Sequence, residues 1–216
     1  MWSGEWAYLA IANANGVKGT TFSTYGPCPP PAQDCFVDGP VSLDVMLGWH
    51  RAWAAYVTGI GPAQRPGSDA PPIAFGRQIF TEDEYRHMAD VRSVFRGAET
   101  AAVLALGVLA FRLIRARGDR RAVRLVRDGA VGAAAMVTGI GVAAALAFDR
   151  LFLLFHEVFF PQGNFLFDPA TSNLLRLYPD WYWEGVTAGV AVSFVALALI
   201  AAGGAHLALR RYTRRA

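Results

Sequence analysis

Apolar positions along this chain gather in long blocks; they neither recur at the three-to-four-residue spacing of a soluble helix nor alternate as in a strand. The segment from Ala130 to Phe148, AVGAAAMVTGIGVAAALAF, runs 19 residues without a charge, close to the roughly 20 that carry a helix across a bilayer. Gly185 to Leu209 is uncharged over 25 residues. A third block, Ala98 to Ile114, is interrupted only by Glu99 and Arg112, both near its ends, where such side chains reach toward an interface. The pattern predicts an all-α integral membrane protein with three transmembrane helices, at about 98–114, 130–150 and 185–209, and a small extracytoplasmic lobe. The alternative, a buried hairpin of soluble helices, fits these block lengths poorly.

Two shorter patterns stand outside the blocks. Val41 to Gly61, VSLDVMLGWHRAWAAYVTGIG, brings Leu43, Met46 or Leu47, His50, Trp53 and Val57 to near-helical spacing, which predicts an amphipathic helix with His50 as an ordinary packed or exposed member. Phe80 to Arg92, FTEDEYRHMADVR, opens with Thr81 and has Glu84 three residues later, close to a capping box, so a motif helix is predicted over 81–96. Gly61 to Pro72 is a loop by its glycine and proline content.

Composition supports the membrane reading. Hydrophobic residues make up 54% of the 216 and charged residues 17%. The formal charge of +3 does not point to nucleic acid, because the arginines cluster at the ends of apolar blocks. Residues 112–128 carry Arg112, Arg115, Arg117, Arg120, Arg121, Arg124 and Arg127, and the tail 210–216 carries four more arginines. Between Asp149 and Glu184 there are only Arg150 and Arg176. By arginine distribution the loop 112–128 and the C-terminus face the cytoplasm, leaving the lobe 1–97 and the loop 151–184 on the outer side of a cytoplasmic membrane. A polar lobe of that size seldom crosses without a targeting helix, and the opening MWSGEWAYLAIANANG has neither a basic n-region nor an adequate apolar one. We therefore expect the true start, with a further N-terminal span, to lie upstream. Cys28 and Cys35 bracket CPPPAQDC; outside the cell they are candidates for a disulfide, the alternative being two free thiols.

The titratable residues suggest chemistry at the outer interface. His156 lies within LFLLFHEVFF, beside Glu157 and shortly after Asp149 and Arg150. If the helix from Ala130 continues, His156 stands roughly 39 Å along it, beyond a core of about 30 Å. His87 precedes Ala98 by about three helical turns and has Glu84 and Asp90 one turn away on either side. Two histidines at one interface, each with a carboxylate nearby, suit general acid and base roles. The bland readings are a surface histidine in a salt-bridged helix for His87 and a structural residue for His206 on the cytoplasmic side. No metal or cofactor is expected: HEVFF is not HExxH, and there is no GxSxG elbow, no phosphate loop and no activated cysteine.

At these stretches the sequence resembles the bacterial integral membrane family that includes the lipoprotein intramolecular transacylase. The resemblance rests on the E-x-x-H-M-x-D-V pattern from Glu84 to Val91, on FHEVFFPQGNFLFDPATSNLLRLYPDWYW from Phe155 to Trp183, and on the spans between them. It covers about the last two thirds of the chain, with Phe165 standing where the family pattern leads us to expect a tryptophan. The resemblance implies transfer of the sn-2 acyl chain of a lipoprotein's diacylglyceryl group to the α-amine of the same N-terminal cysteine, giving the lyso form. It also implies two essential histidines, at His87 and His156. Such a reaction needs no enzyme nucleophile, because the substrate's own amine is held near the ester. Asp90, Glu157 and Glu84 are candidate supporting carboxylates, and Arg92 or Arg150 candidate stabilisers of the oxyanion. The expected partners are a diacylated lipoprotein or another lipid and the membrane itself. The competing reading is a non-catalytic membrane protein whose outer lobe binds a lipid or a partner protein. Sequence alone leaves open which histidine is base and which acid.

Overall fold

The computed structural model describes residues 4–27, 34–59, 66, 79–115 and 119–213. In chain order they form α1 (Glu5–Ala14), β1 (Gly19–Pro27), β2 (Asp34–Ser42), α2 (Leu43–Thr58), α3 (Glu82–Arg115), α4 (Arg120–Phe159), α5 (Asn173–Leu177) and α6 (Asp180–Thr213). The protein is mainly helical, as expected, and a β-hairpin that the apolar pattern does not reveal is added. The chain divides into two compact units, one of residues 1–97 with 153–186 and one of residues 98–152 with 187–216.

The first unit has an aromatic core. Tyr8, Phe22, Trp53, Phe80, Tyr85 and Leu177 are essentially enclosed, and each large side chain removed from water contributes roughly 1.5–3 kcal/mol. Helix α2 supplies one wall through Met46, Leu47, His50, Trp53, Tyr56 and Val57, the face its spacing predicts. It begins where Ser42 accepts from the Val45 amide and ends at Gly59 in the left-handed conformation, φ 68°, a C-terminal stop that glycine adopts without strain. His50 is a packed residue, its Nδ1 3.2 Å from the Tyr178 hydroxyl. Helix α1 is fastened by the Tyr8 hydroxyl donating to the Leu177 carbonyl at 2.7 Å and by close packing of Ile11 on Gly185, where a Cβ would come within 2.6 Å of the isoleucine.

β1 and β2 pair antiparallel from Gly19↔Ser42 to Pro27↔Asp34. At Ser23 the outward backbone of β1 is occupied by Asn173, whose amide accepts from the Ser23 N–H and donates to its carbonyl, both at 2.7 Å. The same amide donates to the Ile79 carbonyl at 2.6 Å. Arg176 donates to the Thr21 carbonyl and is paired with Asp38 at 2.8 Å. Opposite Thr21 on β2 stands Pro40, which has no N–H to offer.

Helix α3 starts with the capping box: Thr81 Oγ1 accepts from the Glu84 amide at 3.2 Å, and the Glu84 carboxylate accepts from the Thr81 amide at 2.6 Å. The motif helix expected over 81–96 then continues into the apolar block without interruption. Likewise, the stretch 151–184, expected to be a loop, is not loop throughout, since it includes the end of α4, all of α5 and the start of α6.

In the second unit the apolar side chains point outward. Val103, Leu104, Leu125, Val192, Leu197 and Ile200 are all about two-thirds exposed, the inverse of a water-soluble surface and what lipid contact calls for. Helices α3, α4 and α6 are each long and apolar enough to cross a membrane. Within α4, Ala147 leaves helical geometry at φ −150°, ψ 48°. Thr138 satisfies its hydroxyl on the Ala134 carbonyl one turn back, at 2.8 Å, as a hydroxyl inside a span must.

Candidate functional site

His87 comes from the second turn of α3 and His156 from the last turns of α4, both within the first unit. Their rings lie nearly parallel, 19° apart in plane and 5.9 Å between centroids. Aromatic side chains flank them: Phe160 is 4.8 Å from His87 and 5.5 Å from His156, Phe167 meets His87 edge-on at 5.5 Å, and Phe165 lies 5.1 Å from His156. This explains how an imidazole fits among apolar residues: LFLLFHEVFF folds so that its own phenylalanines form part of the wall.

His87 is 93% enclosed, with 7% of its surface exposed. It lies in the polar start of α3, ahead of the apolar span. Burial, which penalises the charged imidazolium, pulls its pKa down to about 4, and proximity to His156 acts in the same direction. A side-chain hydrogen bond with Asn164 and the negative charge of Asp90 oppose that shift. Its Nδ1 is buried without a hydrogen-bond partner among the described residues.

Behind His87 stands a polar cluster. The Asp90 carboxylate accepts from the Asn164 amide at 2.6 Å and from the Gln162 amide at 2.8 Å, while Gln162 also donates to the Asn164 side-chain oxygen at 3.2 Å. Gly163, between the two amides, is left-handed with φ 77°, and this tight turn lets both neighbours aim at one carboxylate. Asn164 and Gln162 were not legible as site residues from sequence. The signal was present in PQGN, the only polar interruption of the apolar run from Val158 to Phe167.

The other sequence candidates lie elsewhere. The Glu84 carboxylate is 1% exposed and is filled by the Thr81 amide, the Ser172 hydroxyl at 2.6 Å and the Leu174 amide at 2.8 Å. Glu157 is exposed; adjacent residues on a helix diverge, so it does not share a face with His156. Arg92 lies over the Tyr56 ring at 4.8 Å. Arg150 belongs to the other unit, His206 is exposed on α6, and the disulfide expected between Cys28 and Cys35 falls outside the described residues. Among the described residues no three His, Cys, Asp or Glu side chains converge as a metal-binding group.

Comparison with known proteins bears on this arrangement. The family model of the lipoprotein intramolecular transacylase Lit matches residues 71–183, just over half of the chain and inclusive of both histidine motifs. Among solved structures, the in meso structure of the membrane integral lipoprotein intramolecular transacylase Lit from Bacillus cereus has the same fold, with a TM-score of 0.62 at 14% identity, over 99% of this chain and 86% of that one. No curated protein matches by sequence.

Proposed function

The chain belongs to the lipoprotein intramolecular transacylase family, Lit, and on that premise we propose that it is itself such an enzyme, moving the sn-2 acyl chain of a lipoprotein's diacylglyceryl group to the α-amine of the same cysteine. The observation that carries this reading is the meeting of His87 and His156 at 5.9 Å across a gap of 69 residues in sequence. The attacking amine and the ester belong to one substrate molecule, so its own connectivity supplies the proximity that an enzyme nucleophile would otherwise provide. An α-amine has a pKa near 8 and is partly free at neutral pH. As its nitrogen bonds to the ester carbonyl it must lose a proton, and as the carbonyl collapses the glyceryl oxygen must gain one. Two imidazoles serve these needs, one as base and one as acid, and the products are an amide and a free sn-2 hydroxyl. His87 is shielded from water, at 7% exposure, which favours transfer to the amine over hydrolysis.

The arginine distribution supports an outward-facing site and a cytoplasmic C-terminus, since residues 112–128 hold seven arginines. Mass spectrometry of a model lipoprotein's N-terminal peptide tests the function in a bacterial host lacking other N-acylation activity. Wild type is expected to give the N-acyl, S-monoacylglyceryl cysteine, whereas His87→Ala and His156→Ala leave the diacyl form, with losses of roughly 100-fold or more. Diacyl product from inserted, folded wild type overturns the proposal in favour of a lipid- or partner-binding role.

A further inference from the structure

Phe165 packs on His156 at 5.1 Å and Phe167 on His87 at 5.5 Å between ring centroids, and both phenylalanines are half-buried. Leu166, between them, is 75% exposed, the most exposed of the large apolar side chains described in the first unit. Resting on the transacylase reading of this site, we propose that Leu166 is a membrane seat. Its side chain lies in the hydrocarbon of the leaflet on the lobe's side and holds the strap of residues 162–168, with both histidines, at the level of a lipid's ester groups.

The exposure of Leu166 is built into the backbone. The Gly163 amide donates to the Phe160 carbonyl at 3.0 Å, the Leu166 amide to the Gly163 carbonyl at 3.5 Å and the Phe167 amide to the Phe165 carbonyl at 3.1 Å. The last of these closes a γ-turn with Leu166 at its apex, which leaves the apical side chain outside the aromatic packing of its neighbours. Both ends of the strap are fixed to α3. Asp90 accepts from Gln162 and Asn164 at one end. At the other, the Asp168 carbonyl accepts from the Ser172 amide at 2.9 Å, and the Ser172 hydroxyl donates to Glu84 at 2.6 Å.

A lone exposed leucine is ordinary on a soluble surface, so its surroundings decide what covers it. Helix α4 is long and apolar enough to cross a membrane, and its last turns leave Leu154, Phe155, Val158 and Phe159 between 43% and 64% exposed. Phe155 and Phe165 both contact His156, at 5.5 and 5.1 Å, so the apolar end of α4 and the strap meet at that ring. Glu157, exposed among these residues, marks the depth, because a carboxylate stays near the head groups and away from the bilayer centre. An apolar surface that continues a span and is bordered by exposed Gln162 and Asp168 is one that lipid chains cover. The consequence for the reaction is one of depth: the esters of a diacylglyceryl group lie where head groups give way to acyl chains, and the strap keeps the histidines there.

The test asks what touches residue 166. Full-length protein in phosphatidylcholine nanodiscs, with Leu166 replaced by benzoylphenylalanine, is irradiated and its lipid adducts are counted by mass spectrometry. The same replacement is made at Val103, in the apolar part of α3, and at Asp83, at its polar start, which are comparably exposed at 68% and 74%. Adducts at 166 should match those at 103 within about twofold and exceed those at 83 by roughly tenfold or more. Leu166→Asp should melt within about 2 °C of wild type, because an exposed side chain gives little to folding. It should lose roughly tenfold in acyl transfer in nanodiscs, yet stay near wild type toward diacylated substrate dispersed in detergent; Leu166→Phe should retain transfer in both. Adducts no more frequent at 166 than at 83, adducts confined to the lipoprotein substrate, or unchanged transfer by Leu166→Asp in nanodiscs would each overturn the seat, as would an equal loss in nanodiscs and detergent. Should Leu166→Asp fail to fold, the adduct comparison decides alone. Lipid adducts at 166 in a folded protein that transfers no acyl chain overturn the proposed function and leave the seat standing.

Discussion

Removing the Glu84 carboxylate separates a structural staple from a chemical role. One buried carboxylate receives the Thr81 amide, the Ser172 hydroxyl and the Leu174 amide at 2.6–2.8 Å, tying the start of α3 to the start of α5. Hydrogen bonds to charged groups contribute roughly 1.5–3 kcal/mol each, and a buried donor stripped of its acceptor costs about 1–3 kcal/mol. In Glu84→Ala the Ser172 hydroxyl can turn elsewhere, but two backbone amides cannot, which gives a loss of about 3–5 kcal/mol. Glu84→Gln retains one acceptor oxygen and sets an NH₂ against a donor, for a loss of about 2–3 kcal/mol. At roughly 2–4 °C per kcal/mol for a chain of this size, Glu84→Ala should melt about 6–20 °C lower. Tryptophan fluorescence in detergent can follow this, since Trp53 is fully buried in the same core. Acyl transfer per folded molecule, measured well below the melting temperature, should be nearly retained. Melting within about 2 °C of wild type, or normal melting with abolished transfer, would refute the reasoning.

Further outcomes follow from single features. The folded His87 titrates at about 4 and an unfolded histidine at about 6.5, so the unfolded chain binds more protons between those values. Stability is therefore full above pH 6.5 and lost as pH falls toward 4, by an amount on the order of 3 kcal/mol, and His87→Gln should flatten a plot of melting temperature against pH. Asn173→Ala removes three bonds of 2.6–2.7 Å to Ser23 and Ile79 and should speed hydrogen exchange at the Ser23 amide at least tenfold; unchanged exchange would show that the clamp is not what protects it. Gly163→Ala meets no atom within 4 Å yet must hold a left-handed φ, a strain of about 1–2 kcal/mol. It should slow acyl transfer more than it lowers melting, as kinetics and fluorescence on one preparation can compare.

The parts of this molecule that were legible in sequence are those fixed by local rules. Uncharged blocks announce the spans because a bilayer core tolerates little else. Thr81 and Glu84 announce a helix start because the capping box is a four-residue device. The pairing of His87 with His156 was suggested by interface depth, which helix rise converts directly from residue number. What escaped depends on contacts between distant segments. The hairpin's strands offer little alternation, and the side chains that bond to the backbone of β1, Asn173 and Arg176, lie about 150 residues away. Asp90 appeared as a direct partner of His87, whereas its carboxylate is taken by the Gln162 and Asn164 amides on either side of the Gly163 turn. Glu84 looked like a neighbour of the histidine, yet its second task, holding α5, is invisible without the fold.

The hairpin also limits how this protein can meet other polypeptides. An extended chain is commonly captured by adding a strand to an open sheet edge, where main-chain bonds supply affinity and alternate side chains supply sequence preference. Here the Ser23 position of one edge is taken by Asn173, and the other edge carries Pro40. At these positions the lobe offers no main-chain template, which also guards against edge-to-edge association. A polypeptide meeting the hairpin at these two positions would have to be recognised through side chains and not by strand pairing.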